Sequence, residues 1–332
     1  MNPENLLIKR EGESIVSSGK NPYLRTLQER FETGYINIDK YAGPTSHQVV
    51  DEVKQVLGIP KAGHSGTLDP QVTGVLLTGL GKTTRLMEYM LKSDKEYVCL
   101  MYLHHDVSDE KLGQALRKFT GLITQLPPLR SAVKREKRKR MIYSITFLER
   151  EGQDILFKVR CEKGTYIRTL CHDIGQYLGC GAQMKELRRT KAGPIDENHH
   201  IISVDTLRNL LELYNQETEP IQKDKYYQQL LTFVRPMEEL LGDYKIIIIR
   251  DGAVTPISHG QPLAIPGVAK LSKGIVKDEE IAFFTLKNEL IGMGKALMST
   301  EEIMAAEKGT CAKLEKIFID TQLYPKFEKK KV

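Results

Sequence analysis

The segment 61–85 constrains this chain more than any other, because it joins a glycine-rich loop to a buried strand. Its sequence is KAGHSGTLDPQVTGVLLTGLGKTTR. The run Val75–Leu80 has the apolar character and the length of a strand in a core. Asp69 stands before it, and the following Pro70 biases this acid toward an extended backbone. The pattern predicts a carboxylate on a stiff loop, anchored by a core strand, in a cleft whose walls have little bulk.

Two other interpretations of this segment have to be weighed. An Asp-Pro pair begins many ordinary turns, so these residues alone leave a turn and an active site open. The sequence Gly81-Lys82-Thr83 looks like the end of a phosphate-binding P-loop, but that motif needs a glycine five positions before Gly81. The residue there is Leu76. This excludes a P-loop and, with it, nucleotide hydrolysis.

The length and composition set broad limits on the class of protein. The 332 residues suffice for one large domain and one small domain, and the net charge of +6 permits a nucleic-acid partner without requiring one. The five cysteines are an odd number and contain no Cys-x-x-Cys pair, which favours reduced thiols over disulfides or a zinc site. The adjacent His104 and His105 lack partners at metal-ligand spacing. We find no signal-peptide pattern and no bilayer-spanning apolar run. We therefore expect a cytoplasmic protein that needs no metal.

Period-2 and period-3.6 patterns predict the main strands and helices. Strands are expected at 35–39, 75–80, 96–103, 143–148, 155–161, 246–249, 281–286 and 289–293. Helices are expected after Ser46 and Ser108 as N-caps, through Leu170 and Leu178, and from Ser203. Residues 214–230 are polar and are interpreted as a surface connection. From about Tyr244 the pattern predicts a small unit of regularly spaced short strands.

A dense basic cluster occupies residues 134–140. It contains six basic residues and one acid, a net charge of +5 in seven positions. Such a run is often only a solvated, mobile loop. Next to the preceding Pro127-Pro128 turn, we interpret it as a clamp on RNA phosphates.

Several ordered motifs together resemble the pseudouridine synthases of the TruB class. The stretch Gly63–Gly74 resembles the catalytic motif of this family, and Lys95-Glu96-Tyr97 resembles its second motif. The stretch Lys163–Leu170, followed by Leu187-Arg188-Arg189, resembles the third. The stretch Gly260–Val268 resembles a PUA domain, and Pro127–Arg135 is more similar to the archaeal and eukaryotic dyskerin branch than to the bacterial tRNA enzyme. The match spans two domains, which makes it more specific than any single glycine pattern.

The resemblance implies a fold, a reaction and a domain division. The fold would be α+β, with a mixed, largely antiparallel sheet and helices around a central cleft, plus a small β-barrel PUA domain. The reaction would isomerise uridine in RNA to pseudouridine, with no cofactor. The implied domains are an N-terminal extension packed on the C-terminal domain, the catalytic domain, the PUA domain and a basic tail, at 1–33, 34–240, 241–325 and 326–332.

The resemblance also assigns roles to residues of this sequence. Asp69 would be the essential acid, attacking the sugar C1′ or the uracil C6, or assisting at C2′; the sequence does not choose among these. Arg168 would pair with Asp69, and Tyr97 would stack on the flipped uracil and help to move the C5 proton. The expected pocket also includes His64, which would hold the extruded nucleotide or its flanking phosphate, and three further residues: Tyr166 and Leu187 as apolar walls, and Lys163 as a phosphate contact or a plain turn lysine.

The expected RNA-facing surface draws on both domains. In the catalytic domain it includes Arg130, Lys134, Arg135, Arg188 and Arg189. In the PUA domain it includes His259, Gly260, Pro266 and Gly267. The implied partners are an H/ACA guide RNA, a substrate RNA and small core proteins docked on the catalytic domain. A stand-alone tRNA pseudouridine synthase and a non-catalytic RNA-binding scaffold are the alternatives.

Overall fold

The computed structural model of the chain describes residues 6–12, 14, 17–126, 134, 136–320 and 324. The chain forms two compact units, one of residues 35–234 and one of residues 1–34 with 235–332. The first unit therefore ends at Val234, whereas the predicted catalytic domain ends at residue 240. The predicted RNA contacts Arg130 and Arg135 and the basic tail 326–332 lie outside the described residues.

The described residues form eighteen strands and nine α-helices. The strands are β1 (Leu6–Ile8), β2 (Gly34–Lys40), β3 (Ala62–His64), β4 (Thr73–Leu80), β5 (Lys95–Leu103), β6 (Gly121–Gln125), β7 (Arg138–Glu151), β8 (Asp154–Cys161), β9 (Ala182–Ala192), β10 (Ile195–Asp196), β11 (Ile201–Ile202), β12 (Arg235–Pro236), β13 (Ile246–Ile249), β14 (Leu263–Ala264), β15 (Val268–Ser272), β16 (Glu280–Thr285), β17 (Leu290–Ala296) and β18 (Thr310–Ile317). The helices are α1 (Leu27–Thr33), α2 (Ser46–Leu57), α3 (Met87–Leu91), α4 (Asp109–Lys118), α5 (Ile167–Leu178), α6 (Val204–Gln216), α7 (Pro220–Phe233), α8 (Asp251–Ser258) and α9 (Thr300–Ala305).

The unit 35–234 is built on one mixed, largely antiparallel sheet, which confirms the α+β expectation. Its strand order is β11-β2-β4-β9-β5-β8-β7-β6, with β3 added to β4 and β10 added to β9. The pairs β4/β9 and β11/β2 are parallel, and the other neighbours on this path are antiparallel. A buried apolar cluster from β5, β8, α4 and α5 forms a core of this unit. Because β5 and β9 are central, the motifs at Tyr97 and Leu187–Arg189 lie side by side.

The start of α2 differs from the sequence prediction by one residue, and the difference matters for the site. Thr45, not Ser46, is the N-cap, and it forms a capping box with Gln48. Ser46 is fully buried. Its hydroxyl instead accepts from the Leu68 amide at 2.8 Å and lies 3.2 Å from the Leu68 carbonyl. A residue that looked like a helix cap thus anchors the loop that precedes Asp69.

The polar stretch 214–230 is interpreted from its sequence as a surface connection. Its residues other than Leu230 are exposed or half-exposed, but the stretch is largely helical rather than a simple connection. Most of it belongs to α6 and α7, which pack together and are joined by a short turn. Glu219 caps α7 by accepting from two backbone amides, and Pro220 occupies the first turn. The sequence missed this helix because its apolar residues do not gather on one face; Leu230 is its buried residue.

The second unit carries a sheet of the order β1-β15-β13-β16-β17-β18-β14. Its neighbours are antiparallel except for β13 and β16. The hairpin predicted around Asn288 is confirmed, with Asn288 at φ +66°. Helices α8 and α9 were not predicted, because α8 carries Pro256 inside it and α9 is only six residues long. No helix of the described residues has the length and apolarity needed to cross a membrane.

Candidate active site

Asp69 lies in the loop between the paired strands β3 and β4. The loop is tied down on several sides: the Val72 amide donates to the Asp69 carbonyl, and the Gly43 amide donates to the Pro70 carbonyl, both at 2.9 Å. The Lys40 ammonium, which is fully buried, donates to the carbonyls of Pro70 at 2.9 Å and Val72 at 3.0 Å. The stiff loop predicted from Asp-Pro is therefore held by a buried cation as well as by its own turn.

The carboxylate of Asp69 points toward solvent and meets Arg168. The Arg168 Nη2 donates to Asp69 Oδ2 at 3.0 Å, and both side chains are 61% exposed. Arg168 is the second residue of α5, whose N-cap is Tyr166. The pair predicted from the sequence is thus formed, and both of its side chains are accessible to a ligand.

Tyr97 is the partly buried neighbour of this pair and packs against the apolar core. Tyr97 on β5 is directly opposite Arg189 on β9, so both side chains leave the same face of the sheet. The charge of Arg189 lies close enough to the Tyr97 phenol to influence its pKa. Burial raises the pKa of Tyr97, Arg189 opposes this increase, and Asp69 contributes to it. The phenol is therefore within electrostatic reach of the candidate acid.

His64 lies on β3 at the start of the same loop and has one ring nitrogen without a partner. Its Nδ1 accepts from the Gly66 amide at 3.2 Å, so the neutral ring carries its proton on Nε2. Among the described residues no group bonds to Nε2, which is buried. Burial, then the neighbouring His47 and Arg189, lower the pKa of His64 to about 4. At neutral pH the ring is uncharged and offers one N–H donor.

The pocket walls named from the sequence differ in how firmly they are held. The backbone of Tyr166 exchanges two hydrogen bonds of 3.0 Å with the side-chain amide of Gln125, which is buried. Leu187 is half-buried on β9, opposite Cys99 of β5, and packs on the core. Lys163 is exposed in the turn before α5. The structure therefore leaves both interpretations of Lys163 open.

The two arginines that follow Leu187 have different environments, and neither environment is the RNA-facing surface expected for both. Arg189 was expected on an RNA-facing surface, but it is 1% exposed. Successive side chains of a strand point to opposite faces of the sheet, so Arg189 lies on the face opposite to that of Arg188. Arg188 is half-exposed and pairs with Asp39 at 2.8 Å and Glu197 at 2.9 Å. Hydrogen bonding to Asp39 is the main reason that the pKa of Arg188 is raised. Its charge is already balanced by two carboxylates.

The basic cluster is only partly a loop. Lys134 is exposed and contacts Glu136. Arg138–Arg140 begin β7 and pair with β6, and Arg140 donates to the Gly164 carbonyl at 3.1 Å. This end of the cluster is therefore ordered strand rather than the mobile loop that its charge suggested.

In the second unit, the four predicted RNA contacts flank α8. His259 and Gly260 follow the end of this helix and are exposed, and Gly260 has a φ of +89° with open space where a side chain would project. Pro266 is exposed in the turn before β15. A side chain at Gly267 would collide with Ala253 of α8, at 2.8 Å. Gly267 therefore allows close packing of this turn on the helix.

Sequence reasoning missed three buried polar residues that shape the site: Lys40, Lys95 and Gln125. The Lys95 ammonium lies within 3.3 Å of the carbonyls of Met90, Leu91 and Ser93, so it caps the C-terminal end of α3 two residues before Tyr97. Burial first, then the charge of Arg189, lower the pKa of Lys95 to about 7. The only signal was negative: a lysine within an apolar strand pattern is unusual unless its ammonium is satisfied.

Comparison with protein-family models finds four matches along the chain. Residues 54–167 match the TruB family pseudouridylate synthase N-terminal domain, and residues 168–242 match the tRNA pseudouridylate synthase B C-terminal domain. Residues 245–318 match the PUA domain, and residues 1–50 match the DKCLD (NUC011) domain. The matches cover both compact units.

Whole-length relatives and solved structures agree with the family matches. The chain is 44% identical to a probable tRNA pseudouridine synthase B of Methanocaldococcus jannaschii, over 99% of this chain and 95% of that protein. It is 46% identical to the corresponding protein of Thermococcus kodakarensis, over 94% and 90%. It is also similar to a chain of a Cbf5-Nop10-Gar1 complex, with a TM-score of 0.90 and 43% identity over 97% of this chain and 96% of that one. A chain of an H/ACA RNP bound to a substrate RNA gives a TM-score of 0.87 at 42% identity, with the same coverage of both chains.

Proposed function

The chain belongs to the TruB family of pseudouridine synthases, and on this premise we propose that it is the catalytic subunit of an RNA-guided H/ACA ribonucleoprotein. In that role it isomerises uridine in ribosomal RNA at positions chosen by pairing with a guide RNA. The observation that carries this proposal is the similarity to the Cbf5-Nop10-Gar1 complex over nearly the full length of both chains. A match to the DKCLD domain at residues 1–50 adds support.

A second function has its own support. The similar proteins of Methanocaldococcus jannaschii and Thermococcus kodakarensis both carry the name probable tRNA pseudouridine synthase B. A chain that modifies tRNA without a guide would use the same chemistry. The two functions differ in what selects the uridine: a guide RNA in one, the protein surface in the other.

The reaction rearranges bonds within one nucleotide. The C1′–N1 bond breaks, a C1′–C5 bond forms, C5 loses a proton and N1 gains one. Because the product is an isomer of the substrate, no net oxidant, reductant or water is consumed. The chain must therefore supply a group that stabilises or traps the broken glycosidic bond, a group that moves the proton, and a dry pocket for the flipped base.

We assign the first two of these roles to the cluster at the Asp69 loop. Asp69 acts at C1′, C6 or C2′, and Arg168 fixes the direction of its carboxylate through the 3.0 Å contact. The phenol of Tyr97, beside Asp69 in its electrostatic environment, stacks on the uracil and handles the C5 proton. Tyr166 and Leu187 line the pocket.

RNA is held by a wider set of groups. The unpartnered Nε2–H of His64 suits an acceptor on the extruded nucleotide or its flanking phosphate. The exposed Lys134 and Lys163 suit phosphates. The exposed His259, Gly260 and Pro266 of the PUA domain suit the ACA end of a guide. Small core proteins comparable to Nop10 and Gar1 complete the particle on the catalytic domain.

Tritium release from RNA labelled at uracil C5 tests the proposal, because the C5 proton leaves in every turnover. The purified chain is assayed on a guide-paired substrate with and without the guide and the small core proteins, and on an unmodified tRNA transcript. The Asp69→Ala variant is the matched control for each substrate. RNA affinity is measured in parallel by filter binding.

The outcomes separate the functions. Release that requires the guide supports the H/ACA role. Release from tRNA without a guide, with no guide-dependent release, supports the stand-alone enzyme and contradicts the guided role. Tight guide binding without release on either substrate contradicts both and restores the scaffold alternative.

A further inference from the structure

Arg189 is a buried charged group beside the site, and the family reaction as assigned above makes no use of it. It is 1% exposed and is among the largest side chains that are fully buried in the chain. Among the described residues, no carboxylate forms an ion pair with it. A buried guanidinium without a carboxylate is costly, so its hydrogen bonds must account for its place in the fold.

The hydrogen bonds of Arg189 join the third motif to the first. Its Nε donates to the Val75 carbonyl at 2.7 Å, and its Nη2 donates to the Gly66 carbonyl at 3.1 Å. These two residues bracket the Asp69 loop. The cross-strand neighbour of Arg189 is Tyr97 of the second motif. One side chain therefore ties the loop of the candidate acid to the strand beside the candidate proton carrier.

Glycines make this arrangement possible. Gly66 has a φ of +141°, and a side chain there would lie 3.5 Å from Arg189 Nη1. Gly74, with a φ of +98°, pairs with Arg189 across β4 and β9, and a side chain there would collide with the Arg189 carbonyl at 2.2 Å. The loop glycines that first suggested an open cleft also let the loop close onto this arginine.

The charge of the guanidinium acts on the phenol across the strand pair. Arginine keeps its proton in proteins, and a nearby cation favours the phenolate over the phenol.

We propose that Arg189 is a positioning residue for pseudouridine formation, which ties the Asp69 loop to β9 and so fixes it relative to Tyr97 on the neighbouring strand. This inference rests on the roles proposed above for Tyr97 and Asp69. Arg189 itself, being buried, does not touch the RNA.

The other charged and titratable groups that face Tyr97 act in the opposite direction. Cys161 and Asp69 both raise the pKa of Tyr97, whereas Arg189 lowers it. Cys161 is itself neutral at working pH, because burial raises its pKa to about 12. Lys40, Lys95 and His64 face Arg189, and its charge contributes to the lowered pKa of each. Removing the charge of Arg189 should therefore raise the pKa of Tyr97.

The test places 3-fluorotyrosine at position 97 of the full chain and follows its fluorine NMR signal as a function of pH. In the Arg189→Met variant we expect the titration midpoint to rise by roughly one pH unit or more, and in Arg189→Lys by less. Arg150→Lys is the matched control, because Arg150 also donates to carbonyls and carboxylates in the same unit and should leave the midpoint unchanged. An unmoved midpoint in both Arg189 variants overturns the inference. If Arg189→Met does not fold, Arg189→Lys alone decides.

Kinetics provide the second readout. Arg189→Lys should lower the single-turnover rate of tritium release roughly 10- to 100-fold while RNA affinity changes less than about threefold. Equal losses of rate and affinity overturn the positioning role. The Tyr97→Phe variant distinguishes failure of the proposed role of Tyr97 from failure of the inference about Arg189. Tritium release at the wild-type rate in Tyr97→Phe would contradict the proposed role of Tyr97. Slow release in Tyr97→Phe together with a wild-type rate in Arg189→Lys would contradict only the inference about Arg189.

Discussion

Arg168 and Arg189 both serve the Asp69 loop, but in opposite environments. The Arg168 side chain is 61% exposed and makes one 3.0 Å contact with a carboxylate. Arg189 is 1% exposed and donates to two backbone carbonyls. An exposed ion pair contributes little to stability, whereas a buried donor that loses its place leaves unsatisfied acceptors behind. We therefore infer that the exposed Arg168 orients the carboxylate of Asp69, whereas the buried Arg189 holds the backbone of the loop in place.

The largest expected effect comes from the acid on the exposed side of this comparison. Asp69→Asn keeps the size of the side chain but removes the charge that would attack or assist. We expect the single-turnover rate of tritium release to fall about 10⁴-fold or more, with RNA affinity within about threefold. Turnover retained at a tenth of the wild-type rate would rule out Asp69 as the essential acid.

The next effect concerns stability on the buried side. Arg189→Met leaves the carbonyls of Gly66 and Val75 without their donor, so the free energy of unfolding should fall by about 2–4 kcal/mol. Urea denaturation followed by far-UV circular dichroism measures the change. A loss no larger than that of Arg168→Met would break the distinction between the two arginines.

Arg168→Met should affect the rate and spare the stability. We expect about a 10- to 50-fold slower single turnover, because the carboxylate loses its fixed direction, and a change below about 1 kcal/mol in the free energy of unfolding. The control is Arg117→Met, an exposed helix arginine on α4, which should change neither quantity. A large destabilisation by Arg168→Met contradicts the surface character of the pair.

The last prediction concerns a dependence of stability on pH that arises at a partly buried residue of the site. His64 has a pKa of about 4 in the folded chain and about 6.5 when unfolded. As the pH falls from 6.5 toward 4, the unfolded chain gains a proton that the folded chain does not, so stability decreases over this window. His64→Asn should remove this part of the slope in urea-midpoint measurements from pH 7 to 4. The exposed His105→Asn should retain it, and an identical slope in His64→Asn would refute the assignment.

Much of the architecture could be predicted from local patterns. The strands around residues 75–80 and 155–161, the helix that ends at Gly179 and the hairpin at Asn288 all follow from periodicity and turn residues. The patterns failed where tertiary contacts overrode them. Helix α7 lacks a clear apolar face. Ser46 is of a residue type that often caps helices, but its hydroxyl accepts a hydrogen bond from the Leu68 amide instead. The order of the strands in the sheets likewise cannot be predicted from local sequence patterns.

For the site, motif residues were predictable as candidates but their environments were not. The pairing of Asp69 with Arg168, 99 positions apart, was anticipated through the family resemblance. Arg188 is half-exposed and Arg189 is buried because successive side chains of a strand point to opposite faces. This rule could be applied only once β9 was known to be a strand. Lys40 carried no positive signal, and Lys95 was noticed only as part of a motif, because a lysine whose ammonium binds carbonyls looks like any other lysine in a sequence.

The sequence by itself determined which residue types were available: an acid held before a proline, glycines beside it, and basic and aromatic residues in ordered motifs. These follow from backbone restrictions that act over a few residues. Only the tertiary structure decided which arginine meets solvent and which lies beneath the loop. Burial and charge pairing depend on neighbours from β4, β5 and β9, and such distant contacts set the dielectric surroundings that give each charge its role.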